Sequence, residues 1–141
     1  MTREEILSFF EKRQAYWEAR DAAALANGHA EDGTVVSPMF GMHRGRTAIR
    51  DLYTTMFATF PDWTFASEDL LIDGTRVAQP FSANATHVGM FMGLAGTNRR
   101  FRIQGVRLVE MGEGVIQSER RVYDFTGFLI QVGVLKGKPG V

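Results

Sequence analysis

The sequence predicts an α+β domain in which N-terminal helices pack on one face of a long antiparallel sheet. Three observations carry that expectation. Apolar residues recur at helical spacing through the first part of the chain and again over about residues 46–60. The period then changes to strand-like alternation. Turn signals, the Asp-Gly pair of "DGT" and the "GEG" stretch, separate the alternating runs. Runs of ten or more residues exceed the usual strand of about five or six. A sheet of such strands curls, and a sheet curled around a helix leaves a concave mouth suited to a small apolar ligand.

Each element follows from its residues. Thr2 with Glu5 three residues on fits a capping box. Ile6, Phe9, Phe10, Arg13, Tyr16, Trp17, Arg20 and Ala24 continue from it at helical spacing, so one amphipathic helix is expected over about residues 3–26. "TVVSP" reads as a short strand stopped by Pro38. "GRTAIRDLYTTMFATFPDW" reads as a second helix that Pro61 ends, with Ile49, Leu52, Tyr53, Met56 and Phe60 as its apolar stripe. "WTFASEDLLID" and "RVAQPFSANATHV" form a hairpin about "DGT". "GMFMGLAGTN" is a glycine-rich loop. "RRFRIQGVRLVEM" and "VIQSERRVYDF" are two further strands, "TGFLIQVGVL" a short closing helix, and "KGKPGV" a tail.

The chain has 141 residues, which fits one domain spanning 1–141. Sixteen basic and sixteen acidic residues cancel, and no basic run asks for nucleic acid or a membrane surface. The absence of cysteine excludes disulfides, thiolate metal sites and a thiol nucleophile. The N-terminus lacks the apolar core of a signal peptide, and no run reaches the ~18 apolar residues of a membrane helix. A cytoplasmic location is the default expectation. His29, His43 and His87 lack the spacing of zinc ligands, so no metal is expected. Nucleophile-elbow and phosphate-loop patterns are absent as well.

Four stretches, "FPDWTF", "THVGMFMG", "RFRIQGVRL" and "GVIQSERRVYDFTGFLIQVG", follow one another at a spacing that resembles the SnoaL-like polyketide cyclases. The most specific part is an aromatic-Asp-x-x-Gly pattern, standing here as Tyr123, Asp124, Gly127, Phe128, Leu129, Gln131 and Gly133; Thr86, His87, Gly89, Phe91 and Gly93 form the second. The resemblance implies the cone-shaped α+β barrel of ketosteroid isomerase and nuclear transport factor 2, a central pocket, and a homodimer. It also implies cofactor-independent, aldol-type ring closure on an apolar, carbonyl-containing small molecule, with Asp124 as acid/base. A methylene between two carbonyls is acidic enough for a carboxylate to deprotonate, and the pocket need only bring two carbons together. Asp124→Asn is then expected to keep the fold and remove turnover. The alternative is a non-catalytic small-molecule-binding or dimerisation module on the same fold.

The candidate site residues each have two readings. Asp124 is a pocket carboxylate or the N-cap of the closing helix. Alternation groups it with Ile116, Ser118, Arg120 and Val122, the more apolar set, and sends Glu119, Arg121 and Tyr123 the other way. Arg120 then pairs with Asp124, binds a substrate oxygen, or covers apolar surface with its stem. His87, on the face of Phe81, Ala83 and Ala85, donates to a substrate carbonyl or is structural. Gln104 shares a face with Val106 and Leu108 and either meets ligand or solvent. Tyr16, Trp17 and Tyr53 are core aromatics that also line a pocket plugged by their helices. Phe91, with Met39, Phe40, Met42, Met90 and Met92, forms an apolar lid or ordinary packing. His43 is a lesser pocket candidate.

Overall fold

The computed structural model describes residues 1–137. The chain runs α1 (Arg3–Ala19), α2 (Ala22–Asn27), β1 (His29–Ser37), β2 (Gly41–Arg44), α3 (Arg46–Thr59), β3 (Thr64–Ser67), β4 (Leu71–Asp73), β5 (Arg76–Thr86), β6 (Arg100–Met111), β7 (Ile116–Tyr123) and α4 (Phe125–Gln131). This is the α+β class the sequence predicts: a curved, open sheet with the N-terminal helices packed into its concave face.

The expected capping box opens α1, with Thr2 and Glu5 capping reciprocally. The single helix expected over 3–26 is two helices. Arg20 takes a left-handed conformation (φ 51°) that ends α1, and Asp21 caps α2 by accepting from the Ala24 N–H. An Asp followed by Ala-rich sequence is a helix-start signal that competes with continued periodicity. The strand expected at 34–38 is longer, and it turns back through residues 38–40 into β2. "WTFASEDLLID" is two short strands, and both pair with β5. Seven strands lie in the order β2-β1-β7-β6-β5-β3, with β4 beside β5. All pairs are antiparallel except β1 with β7, which is parallel. The tail expected at 136–141 lies, from residue 138 onward, outside the described residues.

Alternation puts Val77, Gln79, Phe81, Ala83 and Ala85 of β5 on the concave face, with Phe101, Ile103, Arg107, Val109 and Met111 of β6. In β7 the phase differs from the expected one. Met111 pairs with Ile116 and Glu110 with Ser118, so Gln117 is an extra residue, a bulge. The bulge lets Ile116 and Glu119 both point inward. Glu119 and Arg121 are therefore buried, while Arg120 and Val122 are exposed. The apolar-looking set is the outer one.

Two cores result. Inside the wide part of the sheet, Leu25, Tyr53, Met56, Phe60, Phe101 and Phe128 pack with Trp17. At the other end, Ile6 and Phe10 of α1 pack on Val77, Val109, Met111 and Ile116. Among the described residues, no helix is long and apolar enough to cross a membrane.

Candidate functional site

Trp17, Phe65 and Phe81 form one wall of a cleft between α1 and the sheet. Trp17 stacks on Phe65 at 4.5 Å between centroids, and Phe65 on Phe81 at 5.5 Å. Met39 and Phe40, in the turn after β1, cover it, and Ile103, Trp63 and Tyr123 complete its apolar lining. Tyr123 has room because its partner across the ladder is Gly105. A Cβ there would lie 2.2 Å from the Val122 carbonyl oxygen and 2.8 Å from Tyr123 Cβ. The covering turn is tied down by polar contacts. The Met39 N–H donates to the Tyr123 hydroxyl at 3.1 Å, the Phe40 N–H to Ser37 Oγ at 2.9 Å, and His43 Nε2 to the Phe40 carbonyl at 2.8 Å. Closed in this way the cleft encloses about 20 Å³, room for a single water. A ligand larger than a water does not fit this lining as it stands.

The floor of the cleft is charged. Arg107 and Arg121 reach it from β6 and β7, both buried. Glu119 lies between them, ion-paired to Arg107 Nη2 and to Arg121 Nε at 2.7 Å. The Tyr53 hydroxyl oxygen collects four nitrogens: Arg13 Nη2 at 3.2 Å, Arg121 Nη2 at 3.3 Å, Arg107 Nη2 at 3.4 Å and His29 Nε2 at 3.4 Å. The Arg107 guanidinium lies 5.1 Å from the Trp17 ring centre and 5.6 Å from Phe65, and Arg121 lies 5.5 Å from the Tyr53 ring. Planar guanidinium and aromatic ring attract through the ring quadrupole, which helps hold each arginine in place.

Electrostatics follow from burial and partners. Burial alone would push the Glu119 carboxyl up, but Arg107 and Arg121 outweigh it and hold the group well below the carboxylate range. Burial drives His29 down to about 3, so it is neutral at pH 7. Burial also raises the Tyr123 phenol, partly opposed by Arg121.

The residues expected at the site divide accordingly. Trp17, Tyr53 and Phe81 are at the cleft or its floor. Phe91 is buried against Phe40, Phe60 and Phe128, supporting the cover rather than lining the cleft. His43 anchors the covering turn. His87 is fully buried behind the cleft, its Nδ1 3.1 Å from Thr97 Oγ1 and its ring against Phe60 and Phe91. Tyr16 is exposed, one residue out of phase with Trp17. Gln104 and Arg120 are exposed on the outer face, the first because β6 turns Val106 and Leu108 outward with it, the second because of the bulge. Arg120 stands there beside Leu71, Leu108 and Ser118 in a wide, open groove. Asp124 is exposed and caps α4, its Oδ1 accepting from the Gly127 N–H at 2.8 Å. Arg120, on β7, and Asp124, just past its end, are both exposed, and no ion pair joins them among the described residues.

Sequence reasoning passed over Arg107, Glu119, Arg121 and His29. Arg107 had a signal, since it is in phase with Phe101, Ile103, Val109 and Met111. Arg13 did too, lying at helical spacing with Phe10 and Trp17. Glu119 and Arg121 had none, because the bulge is silent in an alternating pattern.

The sequence profile of the SnoaL-like polyketide cyclases matches residues 9–132. The chain belongs to the SnoaL-like polyketide cyclase family. Nogalonic acid methyl ester cyclase of Streptomyces nogalater is 32% identical over 94 residues, covering 66% of this chain and 70% of that one. TsrD from Streptomyces laurentii superposes with a TM-score of 0.83 at 19% identity, over 96% of this chain and 99% of its own. A Catenulispora acidiphila protein with a ketosteroid isomerase-like fold superposes with a TM-score of 0.75 at 20% identity, over 94% and 95%. These likenesses bear out the ketosteroid isomerase-like fold expected from the sequence. Membership of the SnoaL-like family supports a cyclase-like role in general terms, and the fold alone does not choose the chemistry.

Proposed function

We propose that this protein is a cofactor-independent cyclase-like enzyme that closes a ring, or moves a proton, on a small apolar molecule bearing carbonyl groups. One observation carries the reading: an aromatic cleft with two fixed guanidinium groups, Arg107 and Arg121, on its floor. Ring closure of this kind passes through an enolate and then an alkoxide. Both place negative charge on oxygen, and preorganised cations in a water-poor site stabilise that charge as it develops. The stacked wall of Trp17, Phe65 and Phe81 supports a flat, conjugated substrate and keeps its reacting carbons in register.

The position of Asp124 gives its expected acid/base role no support. Its carboxylate is exposed and engaged in capping α4. Glu119 is the carboxylate inside, and its two arginines make it a poor proton acceptor. That same observation favours the second reading, a binding module without chemistry.

The test uses the methyl ester of nogalonic acid as substrate, with ring closure followed by chromatography. Wild-type turnover is expected. Asp124→Asn, which keeps a good N-cap, is expected to retain it, and Arg121→Gln to lose about 10²–10³-fold. A wild type that binds polyketide esters without converting any of them would sink the enzymatic reading. A folded but inactive Asp124→Asn would return the base to Asp124.

A further inference from the structure

The inside of this domain is not electrically balanced. Arg13, Arg107 and Arg121 are all buried, and guanidinium groups stay protonated in proteins. Glu119 supplies the single buried carboxylate among the described residues, and His29 is neutral at pH 7. Two positive charges are left without a counter-charge in a region that water scarcely reaches. Buried charges persist when they are paired, and an uncompensated one is costly.

The excess is open to the cleft. Arg13 does not line the cleft; it gives Nη1 to the Leu25 carbonyl at 2.9 Å and Nη2 to Tyr53, and its buried Nε has no partner among the described residues. Arg107 and Arg121 line the cleft itself. Arg107 Nε is buried and has no hydrogen-bond partner among the described residues. Arg121 Nη1 makes no hydrogen bond among them either, while its Nε and Nη2 are held by Glu119 and Tyr53. The Nε–Nη2 edge of Arg121 is thus pinned by the protein, and its Nη1 is left over beneath an aromatic wall, while Arg107 Nε is closed off from solvent.

We propose that the cleft takes a ligand bound as an anion: a conjugated oxyanion, either a carboxylate or an ionised enol, on a flat apolar body. The oxyanion sits on Arg121 and Arg107 and supplies the missing negative charge. The flat body lies along Trp17, Phe65 and Phe81, under a lifted Met39–Phe40 turn. This rests on the functional reading above only in using the same cleft. It also accounts for an interior without a free base. An acidic enol loses its proton to buffer on binding, because the arginines favour the ionised form. The protein then needs no carboxylate to remove it.

The experiment is isothermal titration calorimetry of the full chain with matched probes. 2-Naphthoate against 2-naphthamide tests the carboxylate; 2-hydroxy-1,4-naphthoquinone, ionised at pH 7, against its methyl ether tests the enol. At least one anion is expected to bind about tenfold or more tightly than its neutral partner. Arg121→Gln is expected to abolish that preference, and Arg121→Lys to keep part of it. Folding of both variants is checked by circular dichroism. If Arg121→Gln does not fold, the wild-type melting temperature decides: it should rise with the anion and not with its neutral partner. Equal affinity within both pairs, no binding of either anion at millimolar concentration, or a preference that survives Arg121→Gln overturns the proposal. Ester turnover without any anion preference would leave the functional reading standing and sink this one; anion preference without turnover would do the reverse.

Discussion

Glu119 is the residue whose loss should be felt most in the fold. Replacing it by Gln removes the one buried negative charge from between Arg107 and Arg121 while keeping the side-chain size. The magnitude can be built from the contacts. Two close ion contacts at an effective dielectric of about 20 are worth about 4 kcal/mol each, so about 8 gross. Returning the carboxylate to water on unfolding recovers several kcal/mol of its hydration, which offsets about half. The remainder, about 3–5 kcal/mol, agrees with the usual cost of breaking a buried pair. The glutamine amide adds a donor facing guanidinium donors, so one hydrogen bond is lost as well.

Typical domains hold only about 5–15 kcal/mol in total. For a chain of this size the loss corresponds to a melting temperature lower by about 10 °C. Urea unfolding followed by circular dichroism measures it. Glu119→Gln should lower the midpoint at an unchanged slope, which marks a change in stability rather than in compactness. The pH dependence gives a second handle with a definite sign. The folded-state pKa of Glu119 is depressed, so its contribution is complete above the unfolded value of about 4.3 and is lost as pH falls below it. The variant should therefore show a flatter acid limb below about pH 4.3. A variant melting within about 2 °C of wild type would refute the reasoning, because it would mean that the three arginines need no counter-charge.

Two further outcomes are expected. His29 is neutral in the fold at about 3 and ordinary, near 6.5, when unfolded, so its contribution is full above about pH 6.5 and falls as pH drops toward 3, at about 1.4 kcal/mol per pH unit. Wild type should lose stability between pH 6.5 and 4.5 in urea titrations, and His29→Gln should be flat over that window; an equal slope in both would place the titration elsewhere. We also propose that the outer sheet face, where Leu71, Leu108 and Val122 are exposed, is covered by a second copy of the chain. Light scattering should give twice 15.8 kDa, and Leu108→Glu should halve it; a wild type that is monomeric at high micromolar concentration would rule this out.

How far the sequence reaches into this molecule depends on what each inference had to average over. Helical stripes and long alternating runs sum many residues, so the class, the hairpins and the inner face of β5 were legible; the start of α2 at Asp21 and the outward face of Gln104 on β6 were not read. The site turned on a single residue. Gln117 adds one step to β7, and one step of a period-two pattern exchanges its faces. Without it, Arg120 and Asp124 would face the cleft and Glu119 and Arg121 the solvent. Nothing in "VIQSERRVYD" marks the bulge, because both faces of that strand mix charge with apolar residues. The partners mark only that a carboxylate is wanted inside. Arg107 is fixed inward by four apolar neighbours in phase, and Arg13 by helical spacing. Two cations committed to one interior demand a carboxylate there, which Glu119 supplies with β7 turned as observed and Asp124 would supply otherwise. Either face of β7 would bring one arginine and one carboxylate inward, so charge balance alone does not choose between them; the register does, by pairing Met111 with Ile116 and Glu110 with Ser118, and Asp124 is left to cap α4.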